Sequence, residues 1–196
     1  SVLRETVDTR AGAIDAVETI NGEGEGCALI LCEHAAWFIP DEFDLGLRPE
    51  DARSHAAWDP GARGVALCLS QALDAPMVAG RISRLVYDCN RPPEAKSAMP
   101  DVSELIDVPG NEALTEEQKA ARVGAIYRPF VETVDRIAAT RQKGGLKTVL
   151  ITVHSFTPVY FGKAREVEIG ILHDTDSTMA DAMLGVADVL PHRRVE

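Results

Sequence analysis

The sequence predicts an α/β protein built on a mainly parallel sheet, and three observations support this prediction. Short apolar runs of strand length alternate with stretches whose apolar residues recur at helical spacing. The apolar runs end abruptly in polar residues, as strands do when a site lies at the carboxyl edge of a sheet. The chain has 196 residues, 45% of them hydrophobic and 26% charged, which is enough to bury a core in one domain.

The first half of the chain predicts two strands separated by a helix. Residues 27–35, CALILCEHA, are apolar until Glu33 and His34, and such a run is typical of a strand buried on both faces. Residues 62–74, ARGVALCLSQALD, have the spacing of an amphipathic helix. The next strand is predicted at residues 85–87, within RISRLVYDCNRPP.

A long excursion and a long helix are predicted next. Residues 92–114 are rich in Pro, Asp and Gly, and an unstructured loop of that length is usually functional or mobile. The T-x-x-Q pattern at Thr115 is typical of a helix start. We expect this helix to run toward Arg141 and to kink at Pro129, because proline cannot donate a backbone hydrogen bond.

The last third predicts two more strands and a helical tail. Residues 148–153 are a second clear candidate for a buried strand, again followed by polar residues. The run EVEIGILHD, residues 166–174, predicts a third strand. The tail from Thr178 has helical character up to Pro191.

Composition excludes several classes of partner. Lys and Arg number 20 against 31 Asp and Glu, so the net charge is −11, and we expect neither nucleic acid nor an anionic membrane surface as a partner. No run approaches the roughly 18 apolar residues of a membrane span, and the charged N-terminus is unlike a secretory signal. The four cysteines lack CxxC spacing, so we predict buried, reduced thiols in a cytoplasmic protein: Cys27, Cys32, Cys68 and Cys89.

Two histidines directly follow predicted strands and indicate a metal site. His34 ends LILCEHA and His154 lies in LITVHSFTP, so parallel neighbouring strands would bring them to one edge of the sheet. Imidazole and carboxylate groups suit zinc, which takes three protein ligands in hydrolytic sites. The third ligand is open between Asp59, in HAAWDPGA, and Glu33. Asp59 is favoured, because neighbours such as Glu33 and His34 point to opposite faces of an extended strand.

A small group of polar and basic residues predicts an anion site. Asp88, Asn90 and Arg91 follow the strand predicted at residues 85–87, and Arg84 precedes them. A chain of net charge −11 must concentrate cations locally to hold an anion, and the planar guanidinium matches a carboxylate. We therefore predict that the two arginines contact an anionic substrate.

Four motifs that occur in a fixed order along the chain indicate a resemblance to a known family. The segments CEHAAWFIP, HAAWDPGA, SRLVYDCNRP and VHSFTP resemble the N-formylglutamate amidohydrolase family, over most of the chain from about residue 27 to residue 176. The wider group that the chain resembles is the zinc carboxypeptidase and aspartoacylase-like hydrolases. The resemblance implies a three-layer αβα fold with a mixed, mostly parallel sheet, and one catalytic α/β domain over residues 1–196. It further implies a hydrolase with one Zn²⁺ that cleaves N-formyl-L-glutamate, or a similar N-acyl amino acid, to formate and glutamate.

The resemblance also assigns roles to individual residues. His34 and His154 match the histidine ligands of zinc, with Asp59 as the remaining ligand because the H-x-x-E form of the first motif is absent. Asn90 and Arg91 match the pair that holds the substrate carboxylate, and Arg84 matches the arginine that polarises the scissile carbonyl.

The general base is less well defined. The group uses a glutamate on a late strand, and this chain ends at RRVE about where the family continues, so we expect either that the base lies in a C-terminal portion outside the chain or that it is Glu168. Ser155 lacks the G-x-S-x-G context of a serine nucleophile and is assigned to substrate binding beside His154.

Two alternatives stay open. One is a related N-acyl amino acid deacylase or carboxypeptidase-like hydrolase of other specificity. The other is a non-catalytic module of the same fold that binds anions. The family resemblance implies a role in histidine degradation, and the sequence leaves the oligomeric state open.

Overall fold

The computed structural model describes residues 14–160 and 162–196, and the chain divides into two compact units, Ser1–Ser155 and Phe156–Glu196. The helices and strands of the first unit are β1 Val17–Ile20, β2 Ala28–Cys32, α1 Ala62–Ala72, β3 Met77–Gly80, β4 Val102–Ser103, β5 Ile106–Asp107, α2 Glu116–Arg122, α3 Arg128–Lys143 and β6 Val149–Thr152. Those of the second unit are β7 Val159–Tyr160, β8 Lys163–Ala164 and α4 Thr178–Leu184. No helix in these two stretches is both long and apolar enough to cross a membrane. That residues 1–196 form a single catalytic domain stays a prediction.

The first unit is an α/β structure around a mixed sheet, which confirms the predicted class. The sheet has the strand order β1-β3-β2-β6. Strand β2 is parallel to both β3 and β6, whereas β1 is antiparallel to β3 at the edge. Because β2, β3 and β6 point the same way, their carboxyl ends lie along one edge of the sheet.

A helix covers each face of this sheet. On one face, alternate residues of β2 share an apolar cluster with Ala62 and Ala66 of α1. On the opposite face, the intervening residues of β2 pack with Phe130 and Ile137 of α3. All five residues of β2 are therefore buried, as its unbroken apolar sequence predicted.

Strand β6 forms where residues 148–153 predicted it, but the prediction that it is buried is wrong. Val149 is 38% exposed and Leu150 is 56% exposed. The strand pairs with β2 on one side and is the last strand of the sheet within the described residues. An edge position leaves apolar side chains less covered than a central one does.

The strand predicted at residues 85–87 is also wrong. The strand that pairs with β2 is β3, formed by the preceding MVAG segment. Residues 84–86 form a turn in which the backbone N–H groups of Val86 and Tyr87 both donate to the carbonyl of Ser83. The apolar side chains of this turn are buried in a second apolar cluster. The segment is therefore apolar because a turn is buried there, and its apolar character does not indicate a strand.

The excursion at residues 92–114 is ordered rather than structureless. It contains the short β4–β5 pair and two 3₁₀ turns. The Asn111 amide donates to the carbonyls of Leu85 and Pro100, and the buried guanidinium of Arg122 donates to the carbonyl of Val86. These bonds fix the turn that carries the RLVYD sequence, and so they fix the residues that follow it.

The long helical segment begins as predicted and is interrupted near the predicted place. The hydroxyl of Thr115 accepts from the backbone of Gln118, and the Gln118 side chain accepts from the backbone of Thr115, which is a complete capping box. Between α2 and α3 lies a stretch of π-helix, Val123–Tyr127, and Pro129 follows within the first turn of α3. A π-turn next to proline accommodates the missing backbone donor.

The capping box gives a first testable expectation. Thr115→Ala removes the acceptor for the Gln118 N–H and should lower the free energy of unfolding by about 1 kcal/mol. Thr115→Ser, which keeps the hydroxyl, is the matched control and should stay near wild type. Urea denaturation followed by circular dichroism measures both, and equal loss in the two variants would contradict the role of the hydroxyl.

Two predictions in the second unit need correction. Residues 166–174 do not form a strand, because their pairing is limited to a single bridge between Ile169 and Val195. The tail is helical for a shorter distance than predicted, since α4 ends at Leu184 and a 3₁₀ turn, Ala187–Val189, follows.

Candidate metal centre

The predicted metal ligands come together at the carboxyl edge of the sheet. Strand β2 ends at Cys32, so Glu33 and His34 lie in the turn after it. Strand β6 ends at Thr152, two residues before His154. The imidazole rings of His34 and His154 have their centroids 4.9 Å apart. The parallel pairing of β2 with β6 is what produces this convergence, as expected from the sequence.

Asp59 occupies the centre of the cluster. Its backbone N–H donates to the carbonyl of His34, which holds the Asp59 loop against the end of β2. Its Oδ2 atom lies 3.2 Å from Nδ1 of His34 and 2.8 Å from Nδ1 of His154. One ligand atom from each of these three residues can be chosen so that all lie within 4.8 Å of one another. Such a set can surround one cation.

A second carboxylate, that of Asp88, contacts the other ring nitrogen of His34. Nε2 of His34 lies 2.7 Å from Oδ1 of Asp88, so this ring is clamped between two carboxylates. The same Asp88 oxygen accepts from the backbone N–H of Asn90. His34, Asp59 and Asp88 are all buried.

Arg84 connects the two aspartates from the other side. Its guanidinium lies 2.9 Å from Oδ2 of Asp88 and 3.5 Å from Oδ1 of Asp59. The arginine side chain is 30% exposed, so the guanidinium is reached both by these carboxylates and by solvent. This arrangement holds the positively charged guanidinium of Arg84 beside Asp59 and Asp88, where solvent can also reach it.

The pKa values at the site follow from this charge arrangement. Burial by itself lowers the pKa of His34, but its hydrogen bonds with Asp59 and Asp88 outweigh burial, and the pKa is raised. Burial by itself raises the pKa of Asp59, but hydrogen bonds with His154 and His34 leave it well below its usual range. The pKa of Asp88 is also lowered. Burial by itself would raise it, but the hydrogen bond with His34 outweighs burial. The site therefore favours positive charge between its carboxylates.

No cysteine belongs to the group of possible metal ligands that converge among the described residues. Burial, reinforced by the neighbouring Glu33 and Asp59 carboxylates, raises the pKa of Cys32 to about 12, so its thiol stays protonated at neutral pH. Cys27 and Cys68 are exposed, which corrects the prediction that all four cysteines are buried.

The residues predicted to bind or turn over substrate have different surroundings. Asn90 and Arg91 are exposed, and the Arg91 guanidinium donates to the backbone carbonyl of Asn90. The backbone N–H of Ser155 lies 3.4 Å from Oδ2 of Asp59. Glu168 belongs to the second unit, where its carboxylate accepts from the Arg193 side chain and the pKa of Glu168 is lowered by that bond. The roles predicted for these residues stay predictions.

Two features of the site depend on details that the sequence left open. Asp88 had no assigned role, although its position in the D-x-N-R segment marked it, and it proves to be a direct partner of His34. Glu33 and His34 are not forced to opposite faces, because the strand has ended by Cys32. The Glu33 carboxylate is buried, and Oε2 lies 3.7 Å from Nε2 of His154.

The donor set fits a divalent metal ion. Three buried carboxylates, Glu33, Asp59 and Asp88, lie beside the two imidazoles. Among the described residues, Arg84 is the arginine that forms ion pairs with two of them, Asp59 and Asp88. Buried charge that is not compensated is costly, so this excess of negative charge favours a bound cation. The Oε2 atom of Glu33 has no hydrogen-bond partner among the described residues, so a nearby positive charge would stabilise this carboxylate oxygen as well.

Comparison with known proteins places these residues in a family. The family model of N-formylglutamate amidohydrolase matches residues 27–194, which include His34, Asp59 and His154. The chain belongs to the N-formylglutamate amidohydrolase family. The family resemblance predicted from the four motifs is thereby confirmed, and membership implies a hydrolase that acts on amide bonds.

A solved structure is similar to this N-formylglutamate amidohydrolase family member in both sequence and fold. The crystal structure of gene product Atu2144 from Agrobacterium tumefaciens is similar to the chain, with 53% sequence identity and a TM-score of 0.89. The match covers 92% of this chain and 71% of that one. A comparison with functionally curated proteins gives no match.

Proposed function

We propose that this protein is a zinc-dependent amidohydrolase that cleaves N-formyl-L-glutamate, or a closely similar N-acyl amino acid, to formate and glutamate. The observation that carries the proposal is the convergence of His34, Asp59 and His154 in a member of the N-formylglutamate amidohydrolase family. Two imidazoles and one carboxylate are a ligand set that zinc uses in hydrolytic sites, where a fourth position stays open.

One zinc ion held by His34, Asp59 and His154 is the cofactor we propose. When bound, such an ion supplies an activated water at neutral pH and polarises the carbonyl that is attacked. The protein holds the ligands in place: Asp88 fixes the ring of His34, and the backbone of Ser155 donates to Asp59. Fixed ligands reduce the reorganisation needed during the reaction.

The chain's own residues account for the remaining steps. The guanidinium of Arg84, oriented by Asp59 and Asp88, donates to the formyl oxygen as negative charge develops there. The exposed pair Asn90 and Arg91 binds a substrate carboxylate, since a guanidinium matches that group bidentately.

Proton transfer completes the balance of the reaction. Water adds to the formyl carbon and gives its proton to a carboxylate, the C–N bond breaks, and the amine nitrogen receives the proton. Within this chain Glu168 is the carboxylate that we propose for the transfer. The bond with Arg193 lowers the pKa of Glu168, which makes this carboxylate a weaker base.

The broader parts of the proposal concern fold and setting. The helix on each face of the sheet supports a three-layer αβα architecture of the zinc carboxypeptidase type. The arginines Arg84 and Arg91 support a small anionic substrate bound at a local basic site, and the net charge of −11 disfavours nucleic acid and anionic membranes as partners. We also propose a role in histidine degradation, which the family resemblance implies, and a cytoplasmic location, which the reduced cysteines predict.

The experiment that tests the function measures metal content and formate release together. Purified protein should contain about one zinc per chain, the number that one set of three protein ligands holds, and should release formate from N-formyl-L-glutamate. A chelator should abolish release, and added zinc should restore it. The protein could instead bind zinc and release no formate from this substrate, but release the acid from N-acetyl-L-glutamate or another N-acyl amino acid. That result would show that the proposed substrate is wrong and that the enzyme acts on a different N-acyl amino acid. A metal-free, inactive protein would favour the anion-binding module.

Substitution of Arg84 separates chemistry from metal binding. Arg84→Ala should lower kcat by about a hundredfold, the usual effect of losing one oxyanion donor, while zinc content stays near wild type. His154→Ala should lower both, because it removes a ligand. Arg81→Ala, at a nearby arginine paired with Asp15, is the matched control and should retain activity. Equal loss of zinc in the Arg84 and His154 variants would contradict this division.

A further inference from the structure

The Glu33 carboxylate is buried without a complete set of partners. Glu33 is 6% exposed, and its Oε2 atom accepts no hydrogen bond from the residues that the structure describes. A buried carboxylate oxygen without a donor costs free energy, and native proteins rarely tolerate one without a reason. The backbone of Glu33 packs closely against Gly80, where an added Cβ atom would lie 2.2 Å from the Glu33 carbonyl oxygen.

A histidine nitrogen close to this oxygen belongs to a proposed metal ligand. Nε2 of His154 lies 3.7 Å from Oε2 of Glu33, beyond hydrogen-bond distance but close enough for a small movement of the ring to close the gap. The ring of His154 is 32% exposed, and its other nitrogen lies 2.8 Å from Asp59. Its orientation is therefore less constrained than that of the buried His34.

The two histidines have the same arrangement on either side of Asp59. Both Nδ1 atoms face Oδ2 of Asp59, at 3.2 Å for His34 and 2.8 Å for His154. Each Nε2 atom faces a different outer carboxylate, Asp88 at 2.7 Å and Glu33 at 3.7 Å. Histidines that bind metals usually donate their second N–H to a carboxylate or carbonyl, which fixes the ring.

We propose that Glu33 is a positioning residue that receives the Nε2–H of His154 and holds its ring for metal binding, and that it is not itself a ligand. The proposal rests on the metal site of the proposed function. It separates the two carboxylates that the sequence left open for the third ligand: Asp59 lies between the imidazoles, and Glu33 lies behind one of them. It also explains the unpartnered Oε2 atom, because that oxygen acquires its donor when the ring settles on the metal.

Metal affinity and the state of His154 test this proposal without using catalysis. Glu33→Ala and Glu33→Gln should raise the zinc dissociation constant, measured by competition with a chromophoric chelator, by about 10- to 100-fold for Ala and by less for Gln, whose amide oxygen can still accept. Glu42→Gln, at an exposed carboxylate, is the control for the change in charge and should leave the constant unchanged.

The side-chain nitrogens of His154 give the second readout. In the ¹⁵N-labelled, zinc-loaded wild type, Nε2 should carry a proton that exchanges slowly with water, and Glu33→Ala should make that exchange faster. A cobalt-substituted variant should keep the absorption spectrum of the wild type, because the number of ligands is unchanged.

Each contrary result identifies what is wrong. A changed absorption spectrum in the cobalt-substituted Glu33→Ala variant would make Glu33 a ligand and overturn the proposal. A lower thermal stability with unchanged zinc affinity and unchanged Nε2 exchange would make Glu33 merely structural and overturn it as well. Glu33-dependent zinc affinity in a protein that releases no formate would uphold this inference and remove only the proposed substrate. A wild-type chain that takes up no zinc would overturn both.

Discussion

Asp59→Asn should abolish zinc binding and reduce formate release by more than the hundred- to thousandfold that loss of one oxyanion contact causes. Oδ2 of Asp59 is the atom that faces Nδ1 of both histidines, and Oδ1 faces Arg84. An asparagine has the same shape, but it removes the negative charge and replaces one oxygen with a donor amide. The cluster then loses its central anionic ligand while its histidines stay in place.

Zinc content by elemental analysis and formate release measure this effect together. Asp41→Asn makes the same chemical change at an exposed carboxylate and is the control that should retain both properties. Circular dichroism should show that the Asp59→Asn variant is folded, because the substitution preserves volume. A folded variant that holds about one zinc per chain and releases formate at the wild-type rate would rule out Asp59 as a ligand.

Gly80→Ala should destabilise the protein by about 3 kcal/mol, which lowers Tm by about 6–12 °C in a chain of this size. Gly80 is the last residue of β3, and an added Cβ would lie 2.2 Å from the carbonyl oxygen of Glu33. The atom that the new Cβ meets belongs to the backbone just after β2, so no side chain can rotate away. Strand β3 must shift from β2, and that shift displaces Glu33 and His34.

Gly64 provides a matched control for this substitution. It lies on the exposed side of α1, and a Cβ atom there meets nothing within 4 Å. Gly64→Ala should raise stability by about 0.5–1 kcal/mol, because alanine loses less entropy than glycine in a helix. Thermal melting should therefore show Tm changes of opposite sign in the two variants. A Gly80→Ala variant with an unchanged Tm would show that the two backbones can separate freely.

Much of the fold was predictable because the relevant signals are local. The unbroken apolar run of residues 28–32 predicted a strand buried on both faces, and β2 is one. The T-x-x-Q pattern predicted the helix start at Thr115, where side chain and backbone satisfy each other within four residues. Hydrophobic periodicity predicted α1, since each turn of an amphipathic helix repeats the same pattern.

The errors arose where an apolar run has more than one way to be buried. Residues 85–87 are as apolar as a strand, yet they form a turn whose side chains fill the second apolar cluster. The neighbouring MVAG segment took the place beside β2, since Gly80 permits the close approach to Glu33. The exposure of β6 depends on its place at the sheet edge, which its own residues do not specify.

Local sequence was enough to identify the chemical groups of the candidate site: His34 and His154 after apolar runs, with Asp59 as the favoured third ligand. That Asp59 lies between the two imidazoles while Glu33 lies beside His154, and that Asp88 pairs with His34, required the folded chain. The physical reason is that residue type and spacing define which atoms can bind a cation, whereas their distances depend on contacts between residues far apart in sequence. Parallel pairing of β2 with β3 and β6 supplies those contacts and brings the carboxylates and imidazoles to one edge.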